Sequence, residues 1–434
     1  MTENKIILHV PEVRSNEIVY RYDVFGPWAG AFNIGNALRV SYDVDMRAVP
    51  AGVAMVPLLA NVLPMAWVYD AQIECSVLDE DFYRCIPKIK RGYEDMYPDY
   101  AFGGCLQVAR VESNIPRTAS NGATPIETAC FFSGGVDAFN TLIAHKDERP
   151  LLITLRGSDV SLSDAQGWRR VHEHVVETAE EFDVGYASVS TGFRVFLREG
   201  VLDRKVAASG DGWWHGFQHG LGLLGHAAPL AWALGIKTCY IASSFTEADK
   251  GKVTCASDPS IDNHVRFCGA RVIHDGYDSC RQDKVRRIAE YARACRTQVR
   301  LRVCWESRGG ANCCRCEKCL RTMLALYAER ADPNQFGFSC GDVGELGRFA
   351  KKHFSSMGGG EDWLVLRYAP IQDALRKNYR LDQVSEGFQW FYSGDLRELA
   401  HAPTAARAFR SCVGLACRIA SKAVKVCRRL IVRL

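Results

Sequence analysis

Two clusters of residue types in this chain have spacings that could do chemistry. The first is Ser133-Gly-Gly-Val-Asp137, directly after the apolar run Thr128-Ala-Cys-Phe-Phe132 and directly before a stretch of helical character from Ala138 to His145. Two glycines let a backbone approach a phosphate closely, successive N–H groups form an anion nest, and the start of a helix adds partial positive charge. Ser133 can offer a hydroxyl to a phosphate oxygen, and Asp137 can cap the helix or help hold magnesium. The bland alternative is a glycine-containing capping turn. No Gly-Lys-Ser/Thr follows, so this is not a Walker loop, and the third glycine of a dinucleotide loop is missing.

The second cluster is Cys304, Cys313, Cys316 and Cys319, a C-x8-C-x2-C-x2-C pattern. Thiolates at this spacing close a tetrahedral zinc site with no position open to water, which assigns the metal to folding rather than catalysis. An iron–sulfur cluster is the competing occupant. Cys314 adjoins Cys313, but its separation from Cys316 is too short for the usual turn, so Cys313 is the expected ligand. Cys319 is expected to open a helix from Leu320 to Glu329.

The elements that must position these groups are read from periodicity. Residues 5–101 alternate in strand fashion, most clearly at Ile6–Val10 and Ile18–Val24, with a helix expected over Ile86–Tyr97. A polar stretch from Glu112 to Pro125 reads as a linker. Strands at Thr128–Phe132, Leu151–Leu155, Gly185–Ser190, Thr238–Ala242 and Val299–Cys304 then alternate with helices at Val171–Phe182, Phe217–Leu234 and Lys284–Arg296. That alternation predicts an α/β fold, a parallel sheet covered on both faces, with ligands beyond the carboxyl ends of the strands. Beyond Ala331 the periodicity weakens, and Asp362–Phe391 is expected to be helical. The expected division is a β-rich segment (1–115), a nucleotide-binding domain carrying the knuckle (126–331), a helical region (332–403) and a basic amphipathic tail (404–434).

Composition narrows the function classes. The 434 residues carry a net charge of only +4, which does not mark a nucleic-acid binder. The charge is uneven: eight Lys or Arg and no acid lie between Thr404 and Leu434. Such a tail suits an anionic membrane surface, a partner, or its own domain equally. The N-terminal apolar run is too short for a secretory signal. No stretch is expected to span a bilayer, Leu221–Ile236 being read as a buried helix. A cytoplasmic protein is therefore expected, with the tail as its route to a membrane surface. Eighteen cysteines in a reducing compartment predict metal ligands and buried thiols rather than disulfides.

Taken together, Phe131-Phe-Ser-Gly-Gly-Val-Asp137 and Cys304-Trp-Glu-Ser-Arg-Gly-Gly-Ala-Asn-Cys-Cys-Arg-Cys-Glu-Lys-Cys319 resemble the 7-cyano-7-deazaguanine synthases of the queuosine pathway, within the PP-loop ATP pyrophosphatases. The resemblance covers roughly Thr128–Glu329. It implies a Rossmann-like, adenine-nucleotide alpha-hydrolase-like fold and cleavage of ATP to AMP and pyrophosphate. In that family a substrate carboxylate is adenylated, ammonia displaces AMP to give an amide, and a second adenylation yields a nitrile. By resemblance Ser133, Gly134, Gly135, Val136, Asp137 and Ala138 would form the ATP and Mg2+ site, with Ser133 and Asp137 active in catalysis, and the four cysteines would hold Zn2+.

The chain departs from the family at Ala138, where a hydroxyl residue is usual, and at Phe139 and Asn140; Thr141 is a candidate substitute. Other acceptors stay open, namely a sugar in a surface-polysaccharide amidotransfer or a nucleic acid in sulfur transfer. So does an ATP-binding sensor with weakened catalysis. Four further features are singled out. Ser243–Thr246 follows a strand and could line the site. Cys255–Pro259, with Asp262 and His264, lies in a loop between strands. Arg308 could reach a phosphate. Trp213-Trp214-His215 reads as core aromatics in preference to a base-stacking platform.

Overall fold

The computed structural model describes residues 3–33, 37–116, 126–304, 310–354 and 360–401. Its chain divides into two compact units, Met1–Asn312 and Cys313–Leu434.

The first unit opens with strands β1 (Lys5–Leu8), β2 (Glu12–Val13), β3 (Glu17–Val19), β4 (Tyr22–Phe25) and β5 (Arg39–Tyr42). Helix α1 (Ala51–Tyr69) follows, then β6 (Gln72–Cys75), β7 (Leu78–Asp79), α2 (Glu80–Met96), β8 (Cys105–Val108) and β9 (Val111–Glu112). The expected helix near residues 86–97 is thus present and begins earlier, where the Asp79 carboxylate accepts the Phe82 N–H and caps α2.

Helix α1 overturns two sequence expectations. It lies where strands were expected, and it is a 19-residue helix long and apolar enough to cross a membrane by length and composition alone. Its most apolar window is 94% buried inside the protein, packed against later helices of the unit. Gly225 marks that close approach: a Cβ there would lie 2.6 Å from Cβ of Ala60.

The chain then alternates. β10 (Thr128–Phe131), α3 (Val136–Ala144), β11 (Leu151–Arg156), α4 (Ala165–Glu181) and β12 (Tyr186–Thr191) lead into α5 (Glu199–Val206), α6 (His219–Leu224) and α7 (Ala227–Leu234). β13 (Thr238–Ala242), α8 (Pro259–Asp262), β14 (Arg266–Phe267), β15 (Ala270–Asp275) and α9 (Arg281–Cys295) complete the unit. The single helix expected over Phe217–Leu234 is instead a π-helical turn at Trp214–Gln218 followed by α6 and α7, broken at Gly225-His226.

Nine strands form one sheet in the order β14-β15-β13-β10-β11-β12-β5-β3-β2. The five central strands, β15 to β12 in that order, are mutually parallel. β5 runs antiparallel to β12 and carries β3 and β2 beyond it. Three of the N-terminal strands, β2, β3 and β5, therefore extend the central sheet. A second sheet, β4-β1-β6-β8, takes the remaining early strands apart from the short β7–β9 pair.

The central order has a functional consequence. The chain runs outward from β10 through β11 to β12, then returns to lay β13 on the other side of β10. The crevice at the carboxyl ends of β10 and β13 is the point where strand order reverses, which is where open parallel sheets bind ligands.

The expected strand at Val299–Cys304 is not a ladder strand. Val299, Leu301 and Val303 are buried in alternation, so the sequence carries a strand period. The segment instead bonds the turn after β10, with the Arg302 N–H donating to the Gly134 carbonyl at 2.7 Å.

The second unit is helical: α10 (Glu317–Ala328), α11 (Val343–His353), α12 (Gly360–Asn378), α13 (Gln389–Ser393) and α14 (Leu396–His401). α10 matches the expected helix, beginning three residues earlier with Cys316 as its N-cap residue. The long helix expected over Asp362–Phe391 stops at Asn378, and α11 arises where no period was read. The basic tail, expected at 404–434, lies outside the described residues. No disulfide forms among the described residues.

Candidate functional site

Residues 132–135 turn the chain from the carboxyl end of β10 into α3. Gly134 sits at φ +77°, a conformation that favours glycine. A Cβ there would also lie 2.5 Å from His174 Nε2, so the position excludes a side chain on two grounds. Gly135, in extended conformation, is the N-cap residue of α3, and no side chain caps the helix. Asp137 therefore does not serve as the cap. Its carboxylate is in the first turn, beside the uncompensated N–H groups of the helix start. Ser133 is exposed, Val136 and Ala138 are buried, and Gly134 is buried beneath the turn.

Several cations converge here that sequence reading missed. Arg281 Nη1 donates to Asp137 Oδ2 at 2.8 Å, and Lys284 Nζ lies 3.5 Å from Oδ1. Both come from the first turns of α9, which packs along α3. Arg302 Nε donates to the Ser133 carbonyl at 3.1 Å. Nε and Nη2 of Arg281 are buried with no hydrogen-bond partner among the described residues. A guanidinium with two idle donors, next to a glycine turn at a helix N-terminus, is equipped to take an anion.

One sequence signal pointed to these cations. Basic residues at i and i+3 in the first turns of α9 sit where the helix dipole favours acids, and such a placement needs a reason outside the helix. His174, from α4, gave no such signal. Burial first, then the charges of Arg302 and Arg300, push its pKa down to about 4, so a neutral imidazole backs the turn.

The residues after Asp137 face the interior. Phe139 meets Phe132 edge-on at 5.0 Å. Asn140 is fully buried, and its oxygen accepts from Arg287 at 2.5 Å. Thr141 does not replace a phosphate-binding hydroxyl: it is fully buried and donates to Asp275 Oδ2 at 2.6 Å.

Ser243 is likewise turned inward, its hydroxyl donating to the Phe245 carbonyl, but its own carbonyl accepts from Lys284 at 2.6 Å. The loop after β13 is thereby tied to the turn after β10. Asp262 forms a buried pair with His274 at 2.8 Å and accepts from Ser257 at 2.7 Å. Trp213 is fully buried and stacks on Phe217 at 5.7 Å, as a core aromatic should. Arg308 lies outside the described residues.

The four cysteines do come together. Sγ atoms of Cys304, Cys313, Cys316 and Cys319 all lie within 4.8 Å of one another, and Cys313 and Cys319 are 4.0 Å apart. A tetrahedron of Zn–S bonds of about 2.3 Å has edges of about 3.8 Å, so the cluster could hold a zinc ion after a small contraction. The Asn312 side chain accepts from the backbone N–H groups of Val303 and Cys304 and donates to the Leu301 carbonyl, which fixes the segment that carries the first ligand. Cys313 Sγ accepts the Cys316 N–H at 3.2 Å, the bond expected of a C-x2-C turn. Cys314 adopts φ +56° and accepts from the Ser339 N–H instead, which settles the choice between the adjacent pair in favour of Cys313.

Placed beside known proteins, the chain matches no family model, no curated protein and no solved structure.

Proposed function

We propose that the chain is an ATP-dependent, AMP-forming ligase that activates a substrate carboxylate at the turn Ser133–Asp137. The observation that carries the reading is the Arg281 guanidinium, whose buried Nε and Nη2 have no partner among the described residues, held over Asp137 at a glycine turn. The strand-order reversal at β10 and β13 supports it, as does the resemblance of the two motifs to the deazaguanine synthases.

In this reading the N–H groups of the turn and of the α3 start receive the phosphates. Arg281, Lys284 and Arg302 offset the negative charge that moves onto pyrophosphate as it leaves. Magnesium supplies further neutralisation on the polyphosphate. Asp137 is the carboxylate in place to meet it, once its pairing with Arg281 and Lys284 opens. The substrate carboxylate attacks the α-phosphate, and ammonia then attacks the acyl adenylate and expels AMP. None of these steps needs a covalent contribution from the turn itself. The four-cysteine cluster, closed by four thiolates, takes a structural zinc.

The test follows AMP and pyrophosphate in the zinc-loaded protein given Mg-ATP, ammonium and 7-carboxy-7-deazaguanine. Release that depends on the deazaguanine and is lost in Asp137→Ala supports the reading. ATP cleaved to ADP and phosphate, or no cleavage, overturns it.

A further inference from the structure

The phosphate turn does not hold its shape alone. Arg302 bonds two successive carbonyls of it: the backbone N–H donates to the Gly134 carbonyl at 2.7 Å, and Nε donates to the Ser133 carbonyl at 3.1 Å. A trans peptide is planar, with its N–H opposed to its C=O. Drawing both carbonyls toward Arg302 therefore turns the N–H groups of Gly134 and Gly135 the other way, as an anion nest requires. The contact is close, since a Cβ on Gly134 would lie 3.2 Å from Arg302 Cβ.

No ladder strand carries Arg302, so its position depends on other anchors. Val299, Leu301 and Val303 are buried. On α4, Glu177 accepts from Arg300 at 2.8 Å and Glu181 accepts from the Gln298 N–H at 3.2 Å. The Arg300–Glu177 pair is exposed, and such pairs contribute little. The specific anchor is one side-chain amide. Asn312 Nδ2 donates to the Leu301 carbonyl at 2.7 Å, and Asn312 Oδ1 accepts from the Val303 N–H at 2.9 Å and the Cys304 N–H at 3.3 Å. Asn312 thus bonds the residue on each side of Arg302.

Both ends of this clamp lead into the cysteine cluster. Cys304 is one of its four positions, and Asn312 immediately precedes another, Cys313. A metal held by the four thiolates fixes residues 304 and 313 relative to each other, and with them the reach of Asn312 to Leu301 and Val303.

We propose that the metal at the four-cysteine cluster regulates the phosphate turn through Asn312 and Arg302. With metal bound, Asn312 clamps the 301–304 segment, Arg302 holds the Ser133 and Gly134 carbonyls, and the nest is set for phosphate. Without it the clamp loosens, Arg302 withdraws, and the N–H groups of the turn lose their fixed direction. The inference rests on the reading of Ser133–Asp137 as a nucleotide site. The two sites are distinct and the two states differ by named bonds, so the coupling is reciprocal: the factor by which zinc tightens nucleotide is the factor by which nucleotide tightens zinc. Asn312 touches neither ligand in this account and is a positioning residue.

The tests use the full chain. Affinity for magnesium and α,β-methylene-ATP is measured by calorimetry on zinc-loaded protein and on protein stripped with a chelator that is then dialysed away. Stripping should weaken binding by about 5- to 150-fold, the usual span of a coupling between sites, and added zinc should restore it. In competition with a zinc chelator, saturating analogue should tighten zinc by the same factor. Asn312→Ala keeps all four thiolates, so it should retain its zinc yet bind the analogue as weakly as stripped protein. Stripping the variant should then cost little more, whereas a merely structural Asn312 would give additive losses. Unchanged affinity on stripping, or wild-type affinity in zinc-loaded Asn312→Ala, overturns the proposal. If circular dichroism shows the stripped protein unfolded, the zinc-loaded variant decides alone. Hydrogen exchange at the Arg302 amide separates the coupling from the nucleotide reading. It should accelerate on stripping and in Asn312→Ala, and unchanged exchange overturns the proposal. Accelerated exchange in a protein whose wild-type form binds no analogue would sink the nucleotide reading and leave the metal-held turn standing.

Discussion

The Lys284 ammonium donates to the Ser243 carbonyl at 2.6 Å while standing 3.5 Å from the Asp137 carboxylate. One nearly fully buried cation thus pins the loop after β13 to the turn after β10, at the place where the strand order reverses.

Removing that cation leaves a carbonyl and a carboxylate short of a donor in a buried setting. Lys284→Met should cost about 3 kcal/mol of stability, within the range for breaking one side of a buried pair. Urea unfolding measures it. A change below about 0.5 kcal/mol would show that the two loops do not depend on Lys284.

Gly134 is tested by a single methyl group. Gly134→Ala places a Cβ at φ +77° and 2.5 Å from His174 Nε2, so the turn must open or His174 must move. The strain is about 1–2 kcal/mol from the backbone alone. Reduced thermal stability and weaker nucleotide binding should appear together. Unchanged behaviour in both would mean that the turn is more pliant than its geometry indicates.

The turn Ser133–Asp137 was legible in the sequence because everything it needs is local: an apolar strand, two glycines and a helix start within ten residues. The cysteine cluster was legible for the same reason, since short ligand spacings encode its geometry. Arg281, Lys284, Arg302 and His174 were not legible as a set. They arrive from α9, α4 and the segment before Cys304, and only folding brings them to the turn. Helix α1 was misread because its burial is nearly all-round, so no polar face imposed a helical period, and Pro57 and Pro64 argued against it. Val299–Cys304 was misread in the opposite sense: alternate burial produced a strand period in a segment whose backbone partner is the Gly134 turn rather than a strand.

The four-cysteine cluster should carry one zinc per chain. Metal analysis of Cys316→Ser should show that zinc lost, with a lower Tm, because ligand thiolates and folding are coupled. Iron with inorganic sulfide in the wild-type protein would replace zinc by an iron–sulfur cluster.

Stability should carry a pH signature from the end of α3. The hydrogen bond to Asp275 raises the His145 pKa above its ordinary 6.5, burial opposes that, and the bond to Glu148 adds to it. A raised histidine contributes stability that is full below pH 6.5 and is lost as pH rises through the folded value. Asp275 behaves in the opposite direction. Burial pushes it up, but the bonds from His145 and Thr141 prevail and hold it below 3.8. Its contribution is present above pH 3.8 and is lost as pH falls through the folded value. His145→Gln should therefore flatten the decline in unfolding free energy above pH 6.5. An unchanged pH slope would show that the pair does not titrate as its geometry requires.

The central claim is that the Ser133–Asp137 turn and Arg281 together bind the phosphates of ATP. Calorimetric titration of the wild-type protein and Arg281→Met with magnesium and the non-cleavable analogue α,β-methylene-ATP tests it most directly. Loss of a charged hydrogen bond worth about 1.5–3 kcal/mol should weaken binding by about 10- to 100-fold. Wild-type protein that binds no analogue, or a variant that binds as tightly as wild type, would contradict the account.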